Sequence, residues 1–474
     1  MNEQLLAKCS CNHCGTHLEF PIEAAGAQVQ CPHCGGNTEL GLLDMPASRK
    51  PSAAEFVSAF SGTIARTPVS LFYRLALVLV TIMMVLLPVI YVAMIAAAAW
   101  GVWWYATHFV SLLHYTYGGF HFMLLKLMAY SGPLFIGGVL VLFMVKPLFA
   151  RKPRQAQPLA MNPALEPTLF AFIAKICDLV GAPMPRRIDL NCELNASASF
   201  RRGARSLMQD DLVLTIGLPL IAGLTLCEFC GVIAHEFGHF TQGFGMRLSY
   251  VIRNINHWFA RVVYQRDSWD IWLEDWSNQI QDVRVMFVII AARCAVGFSR
   301  LLLKALMFVG HAVSCFLLRQ MEFDADSYEI KIAGSPTFES AMRRLAGLEH
   351  ALGPAYKEMR TTWNLSRRLP EDFPAYLLLH ESKMLPIARQ RLQDTLGLAK
   401  TRVFDTHPSA GDRIRRARQA KEAGVFHLNL PASILFSRFD IVSRQVTHLH
   451  YADDLGLPID GSNLRPVETA HAQP

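Results

Sequence analysis

The chain has 474 residues, enough for two or three domains, and a formal net charge of +7. Hydrophobic residues make up 52% of it and mean hydropathy is +0.25, which argues against an ordinary soluble protein and for membrane segments. The positive charge gathers partly beside apolar runs, so it reads as membrane orientation, and no nucleic-acid partner is expected.

The first 43 residues carry Cys11-Asn12-His13-Cys14 and Cys31-Pro32-His33-Cys34. Two close thiolate pairs with a hairpin-sized spacer suit a tetrahedral structural zinc. A zinc ribbon over 1–43 is therefore expected, with an unidentified protein as its partner. Residues 44–70, rich in Pro and Ser, read as a linker.

A transmembrane hairpin is expected over 71–150. No Lys, Arg, Asp or Glu occurs from Leu75 to Leu125. Spans are placed at about 75–99 and 127–145, each close to the roughly 20 apolar residues that cross a bilayer. Arg49, Lys50, Arg66 and Arg74 precede the first; Lys146, Arg151, Lys152 and Arg154 follow the second. Positive charge stays on the cytoplasmic side. The N-terminus and everything after the hairpin are thus expected in the cytoplasm, at a bacterial inner membrane.

His235-Glu236-Phe237-Gly238-His239 is an H-E-x-x-H motif in a stretch of helical pattern. Thr225-Leu226-Cys227-Glu228 supplies a capping box to start that helix. Residues i and i+4 share a face, so both histidines can meet one metal ion. Glu236 then stands beside a water whose pKa zinc lowers to about 7. The alternative is two ordinary core histidines.

Zinc needs a third protein ligand. Glu322 is the candidate, with Asp326 four residues on to orient one histidine; spacing alone leaves Glu329 and Glu339 open. Between the motif and Glu322 lies a membrane-associated insertion, about 250–320. At about 100° per residue, Arg293, Arg300, Lys304 and His311 fall on one line of its apolar part. Two arrangements fit: a helix at the interface or against the catalytic domain, or two broken spans.

His235-Glu236-x-x-His239 with the later Glu322-x-x-Ala325-Asp326 resembles the HtpX and CAAX prenyl endopeptidase-like family of membrane zinc metallopeptidases. Asn195-Ala196-Ser197-Ala198, the strand pattern Asp211–Leu218, and Thr406-His407-Pro408 with Arg413-Ile414 resemble further segments of that family. The resemblance spans about 160–420. It implies that His235, His239 and Glu322 bind a catalytic zinc and that Glu236 is the general base. It further implies that residues 195–198 form a strand edge beside the site, and that His407 or a nearby arginine stabilises the oxyanion.

The expected fold is therefore mainly α: a zinc ribbon, a two-span hairpin, and a gluzincin-type domain of helices around a small sheet over 155–425. An extension over 426–474 follows, with a helix near Leu435–Tyr451 and a disordered tail after Gly461. The expected function is zinc-dependent hydrolysis of protein or peptide substrates at the bilayer, with membrane-protein quality control as its expected setting and with one catalytic and one structural zinc. The alternative is a ribbon-based adaptor with a latent peptidase domain.

Overall fold

A computed structural model describes residues 6–10, 17–21, 28–39, 51–65, 71–113, 120–149, 157–201, 211–241, 244–265 and 283–467. The chain divides at Ser58 into two units. In the first, β1 (Leu6–Ser10) pairs antiparallel with β2 (His17–Pro21), and β3 (Gln28–Gln30) with β4 (Asn37–Glu39). The turn between β3 and β4 is Cys31 to Gly36. It is closed by the Gly35 N–H on the Cys31 carbonyl and the Cys31 N–H on the Gly36 carbonyl, both 2.9 Å. Gly35 has φ +70°, a conformation that favours glycine. Cys11 and Cys14 lie outside the described residues. The segment expected as a linker carries a short helix, α1 (Ala53–Ser58).

The second unit begins by docking on itself. Phe60 bridges to Phe426, with their rings 4.4 Å apart. So the stretch expected as linker up to residue 70 partly belongs to the catalytic unit.

Two apolar helices follow, α2 (Leu71–His108) and α3 (Phe120–Val145), both longer than the expected spans. They pack together where the Tyr105 hydroxyl donates to the Ala129 carbonyl and the Tyr130 hydroxyl to the Ala106 carbonyl, both 2.9 Å. After the strands of the catalytic unit come α7 (Phe244–Tyr264) and the 51-residue α8 (Val283–Ala333). Among the described residues three helical stretches are long and apolar enough to cross a membrane: Leu71–His108, Phe120–Phe149 and Met286–Ala333.

The insertion is therefore not two broken spans from residue 283 onward. One uninterrupted helix carries both the polar stripe and Glu322. Part of that stripe meets protein. Arg300 donates to the Gln265 carbonyl at 3.3 Å, and His311 bonds the Phe404 carbonyl. Trp269, Trp272 and Trp276 lie outside the described residues. Leu77, Met84 and Leu87 of α2 share a buried core with Ile252 and Phe259 of α7 and Leu303, Leu317 and Met321 of α8. The buried Tyr91 hydroxyl is satisfied by the Met144 carbonyl at 2.8 Å and Ser299 Oγ at 2.9 Å, as a buried polar group requires.

The rest of the unit sets helices around a four-stranded sheet of order β5-β6-β8-β7. The strands are β5 (Leu159–Ala160), β6 (Arg187–Asn191), β7 (Ala196–Phe200) and β8 (Leu212–Gly217). β6 and β8 are parallel; β7 runs antiparallel to β8 and forms an edge. Helices α4 (Pro167–Val180), α5 (Leu218–Gly223), α6 (Leu226–Gly238), α9 (Ser335–Ser366), α10 (Phe373–Ser382), α11 (Pro386–Leu398) and α12 (Ala410–Ala420) complete the domain.

The C-terminal extension is part of this core. Its helix α13 runs Phe439–Leu449, and Phe426, Phe436, Val446 and Tyr451 are buried. Residues 461–467 carry structure, and the rest of the tail lies outside the described residues. Strand β10 (Leu464–Arg465) pairs in parallel with β9 (Leu369–Pro370). The polar composition after Gly461 hid this, because two residues of backbone pairing leave no hydrophobic pattern.

Candidate metal centre

The centre is assembled by two helices. Thr225 caps α6: the Glu228 N–H donates to Thr225 Oγ1 at 3.3 Å and the Thr225 N–H to Glu228 Oε2 at 2.9 Å. This fixes the helix start and so the face on which His235 falls. His239 caps the other end with helical dihedrals (φ −62°, ψ −21°), so the i, i+4 relation survives the end of the helix. Gly231 and Gly238 let α8 approach. A Cβ on Gly238 would stand 3.1 Å from Ala325 Cα, and one on Gly231 3.0 Å from Ala333 Cβ.

That approach places Glu322 against both histidines. Its Oε2 is 3.5 Å from His235 Nε2 and its Oε1 is 3.7 Å from His239 Nε2. Atoms bound to a tetrahedral zinc at 2.0–2.2 Å stand roughly 3.3–3.6 Å apart. His235, His239 and Glu322 therefore fit the ion as a set.

On the far side of His235, Asp326 Oδ1 lies 3.0 Å from Nδ1. Arg413 of α12 donates its Nε to Asp326 Oδ2 at 2.9 Å and completes a chain Arg413–Asp326–His235. Glu329 Oε2 is 3.6 Å from the same Nδ1, giving a second possible set, His235, Asp326 and Glu329. Both of its carboxylates face the Nδ1 side, and Asp326 is already held by Arg413. Glu339 belongs elsewhere: Arg343 and Arg418 bond its oxygens at 2.6 to 2.9 Å.

Two cationic or protonatable groups flank Glu322. Arg253 of α7 reaches Oε1 and His239 Nδ1, each at 3.4 Å. His407 Nδ1 is 3.5 Å from Oε1, with its ring largely exposed. Electrostatics divide the two histidines. Burial opposes a charge on His235, but the bonds to Asp326 and Glu322 outweigh it and raise its pKa to about 10. Loading a metal must displace that proton from Nε2. Burial, then Arg253 and His235, hold His239 well below the usual imidazole value and leave a lone pair for a metal.

Glu236 is half-buried, and its withdrawal from water pushes its carboxyl up against the opposing effect of His235. The backbone N–H of Ala198 in β7 bonds it. A cavity of about 50 Å³ joins Glu236 and His239 to Ala198, Phe200, Tyr250 and Arg253. Strand alternation sends Ser197 and Ser199 to a separate cavity of about 260 Å³ on the other face of the sheet. Asn195 precedes β7, its carbonyl accepting from the Gly217 N–H at 2.8 Å.

The structure thus gathers His235, Glu236, His239, Glu322, Asp326, Ala198 and His407. It leaves Ser197 outside the metal-side cavity. Arg253 and the bond from Arg413 to Asp326 carry no local sequence signal, since their partners lie 14 to 87 residues away.

A helix-borne His-x-x-x-His pair completed by a carboxylate from a second helix, with a half-buried glutamate beside it, is the donor set of a metallopeptidase. The pattern of peptidase family M48 matches residues 164–421, more than half of the chain, and the chain belongs to that family. The family consists of zinc metallopeptidases, so peptidase chemistry and a zinc cofactor come with membership. No solved structure matches the chain.

Proposed function

We propose that the chain is a membrane-anchored zinc endopeptidase. It would hydrolyse protein substrates on the cytoplasmic side of a bacterial inner membrane, in membrane-protein quality control. The observation that carries this reading is the approach of Glu322 to both His235 and His239 at 3.5 and 3.7 Å, with Glu236 half-buried alongside.

His235 and His239 would hold zinc through Nε2 and Glu322 through its carboxylate. Zinc bound there would polarise a substrate carbonyl and make water acidic near neutral pH. Asp326, 3.0 Å from His235 Nδ1, would accept the proton there once the ring settles on a metal, which would fix the tautomer and free Nε2. Glu236 accepts a proton from the attacking water and returns it to the leaving amine. Its burial raises its proton affinity, which suits both transfers. His407 supports the developing oxyanion from the rim. A substrate can add to the free edge of β7 as a strand. An added strand needs no chain end, hence an endopeptidase. In the N-terminal unit, Cys31 and Cys34 on the β3–β4 turn, with Cys11 and Cys14, would hold a second, structural zinc.

Glu236→Gln tests the reading. The amide keeps the shape but cannot accept a proton, so zinc should stay while cleavage falls by about 10²–10⁴-fold. Undiminished cleavage by a clean preparation with zinc bound would remove Glu236 from the mechanism.

A further inference from the structure

The loop between α11 and α12 carries an apolar pair at its tip. Val403 is 74% exposed and Phe404 48%. The loop is held with these side chains outward. One Arg319 nitrogen donates to the carbonyls of Arg402, Val403 and Asp405 at 3.0, 2.7 and 3.1 Å. His311 bonds the Phe404 carbonyl, and the Cys315 thiol lies 3.5 Å from the Val403 carbonyl. The Phe404 ring rests 5.4 Å from that of Phe308 on α8. The loop therefore turns its backbone oxygens toward α8, with Val403 outward and Phe404 lying half-exposed along α8 beside Phe308.

Its level along the apolar helices is set by Gly310, which packs against Leu87 and Met84 of α2. Around that level α2 exposes Ile82, Met83, Val85 and Leu86, and α8 exposes Phe308 and Val309. The large exposed apolar residues of α8 end at Phe316; Arg319, Gln320 and Asp324 come next.

We propose that Val403 and Phe404 form a wedge that enters the lipid bilayer on the catalytic side. A loop meets hydrocarbon at low cost only when its backbone polar groups are paired within the protein. Arg319 and His311 supply that pairing, which a water-facing loop would not need. The wedge continues the exposed apolar surface of two candidate spans, so lipid is the occupant it fits. Lys400, Arg402 and Arg319 stand beside it, placed for anionic headgroups. Glu322 lies six positions beyond Phe316, about 9 Å of helix. The wedge thus seats the metal centre close to the bilayer surface.

The test is photocrosslinking of the full chain in nanodiscs of phosphatidylethanolamine and phosphatidylglycerol. p-Benzoylphenylalanine replaces Val403, or Phe404, or, as a control, Leu365, which is 83% exposed but next to Arg367 and Arg368. Adducts on lipid acyl chains should form at both wedge positions about tenfold above the control, since only the wedge meets hydrocarbon. Two surface positions guard against one substitution disturbing the fold, and the readout needs no peptidase activity. Absence of acyl adducts at both wedge positions overturns the proposal. So do equal adducts at the control, or crosslinks to a second copy or another protein in their place.

Discussion

Glu322 is the most crowded side chain of the centre. Its carboxylate faces His235, His239, Arg253 and His407 within 3.4 to 3.7 Å. With zinc in place of some of those contacts, Glu322→Ala should lose or loosen the catalytic ion, because two histidines leave its shell incomplete. Glu329→Ala should retain it, since Glu329 faces the Nδ1 side of His235. Asp326→Asn should weaken zinc binding or activity by about 10–100-fold through the orientation of His235. Chelator competition on the purified variants reads all three, and zinc loss in the Glu329 variant alone would transfer the ligand role. At this scale the sequence was uneven. His235, Glu236 and His239 were legible because one helix places them. Glu322 was separable from Glu329 and Glu339 only through resemblance. In the structure Glu339 is occupied by Arg343 and Arg418, a fact about tertiary neighbours that spacing does not carry.

The pairing of α6 with α8 decides whether those residues meet. Gly238 touches the backbone of Ala325, one turn from Glu322 and Tyr328. Alanine is a better helix former than glycine by about 1 kcal/mol. Overpacking against backbone that cannot yield costs about 1–3 kcal/mol. Gly238→Ala should therefore melt at a lower temperature and bind zinc more weakly, because the two helices are forced apart. A higher melting temperature with zinc affinity intact would show that the contact yields. The capping box at Thr225 was legible, being local. The continuity of α8 was half legible: Arg293, Arg300, Lys304 and His311 line up only on one helix, while the family resemblance also allowed two broken spans. The stripe charges are accommodated by partners such as the Gln265 and Phe404 carbonyls, which only the fold reveals.

The whole molecule should carry two kinds of zinc site. Elemental analysis of the purified chain should show about two ions per chain, one from a closed site and one from an open site. Replacing Cys31 and Cys34 together with serine should remove one, and Glu322→Ala the other. Retention of both ions in the cysteine variant would end the ribbon assignment.

Membrane character was legible from the uncharged run Leu75–Leu125, yet span lengths were not. The 38 residues of α2 extend about 57 Å, nearly twice the roughly 30 Å of bilayer hydrocarbon. Helix length alone therefore cannot set the boundary, and charge must set the orientation. Arg66 lies before α2 and Arg74 in its first turn, and Lys146, Arg151, Lys152 and Arg154 follow the end of α3; the side of the connection holds only Lys126, near the start of α3. By the positive-inside rule both outer ends should face the cytoplasm. Reporters fused at the N-terminus and after Arg154 should read cytoplasmic, and one near Tyr117 external. An even chain of two spans is needed for that result, so it also tests whether α2 and α3 both cross. The reversed pattern would place the metal centre outside the cytoplasm. Matching readings at all three positions would mean that α2 and α3 lie against the bilayer without crossing it.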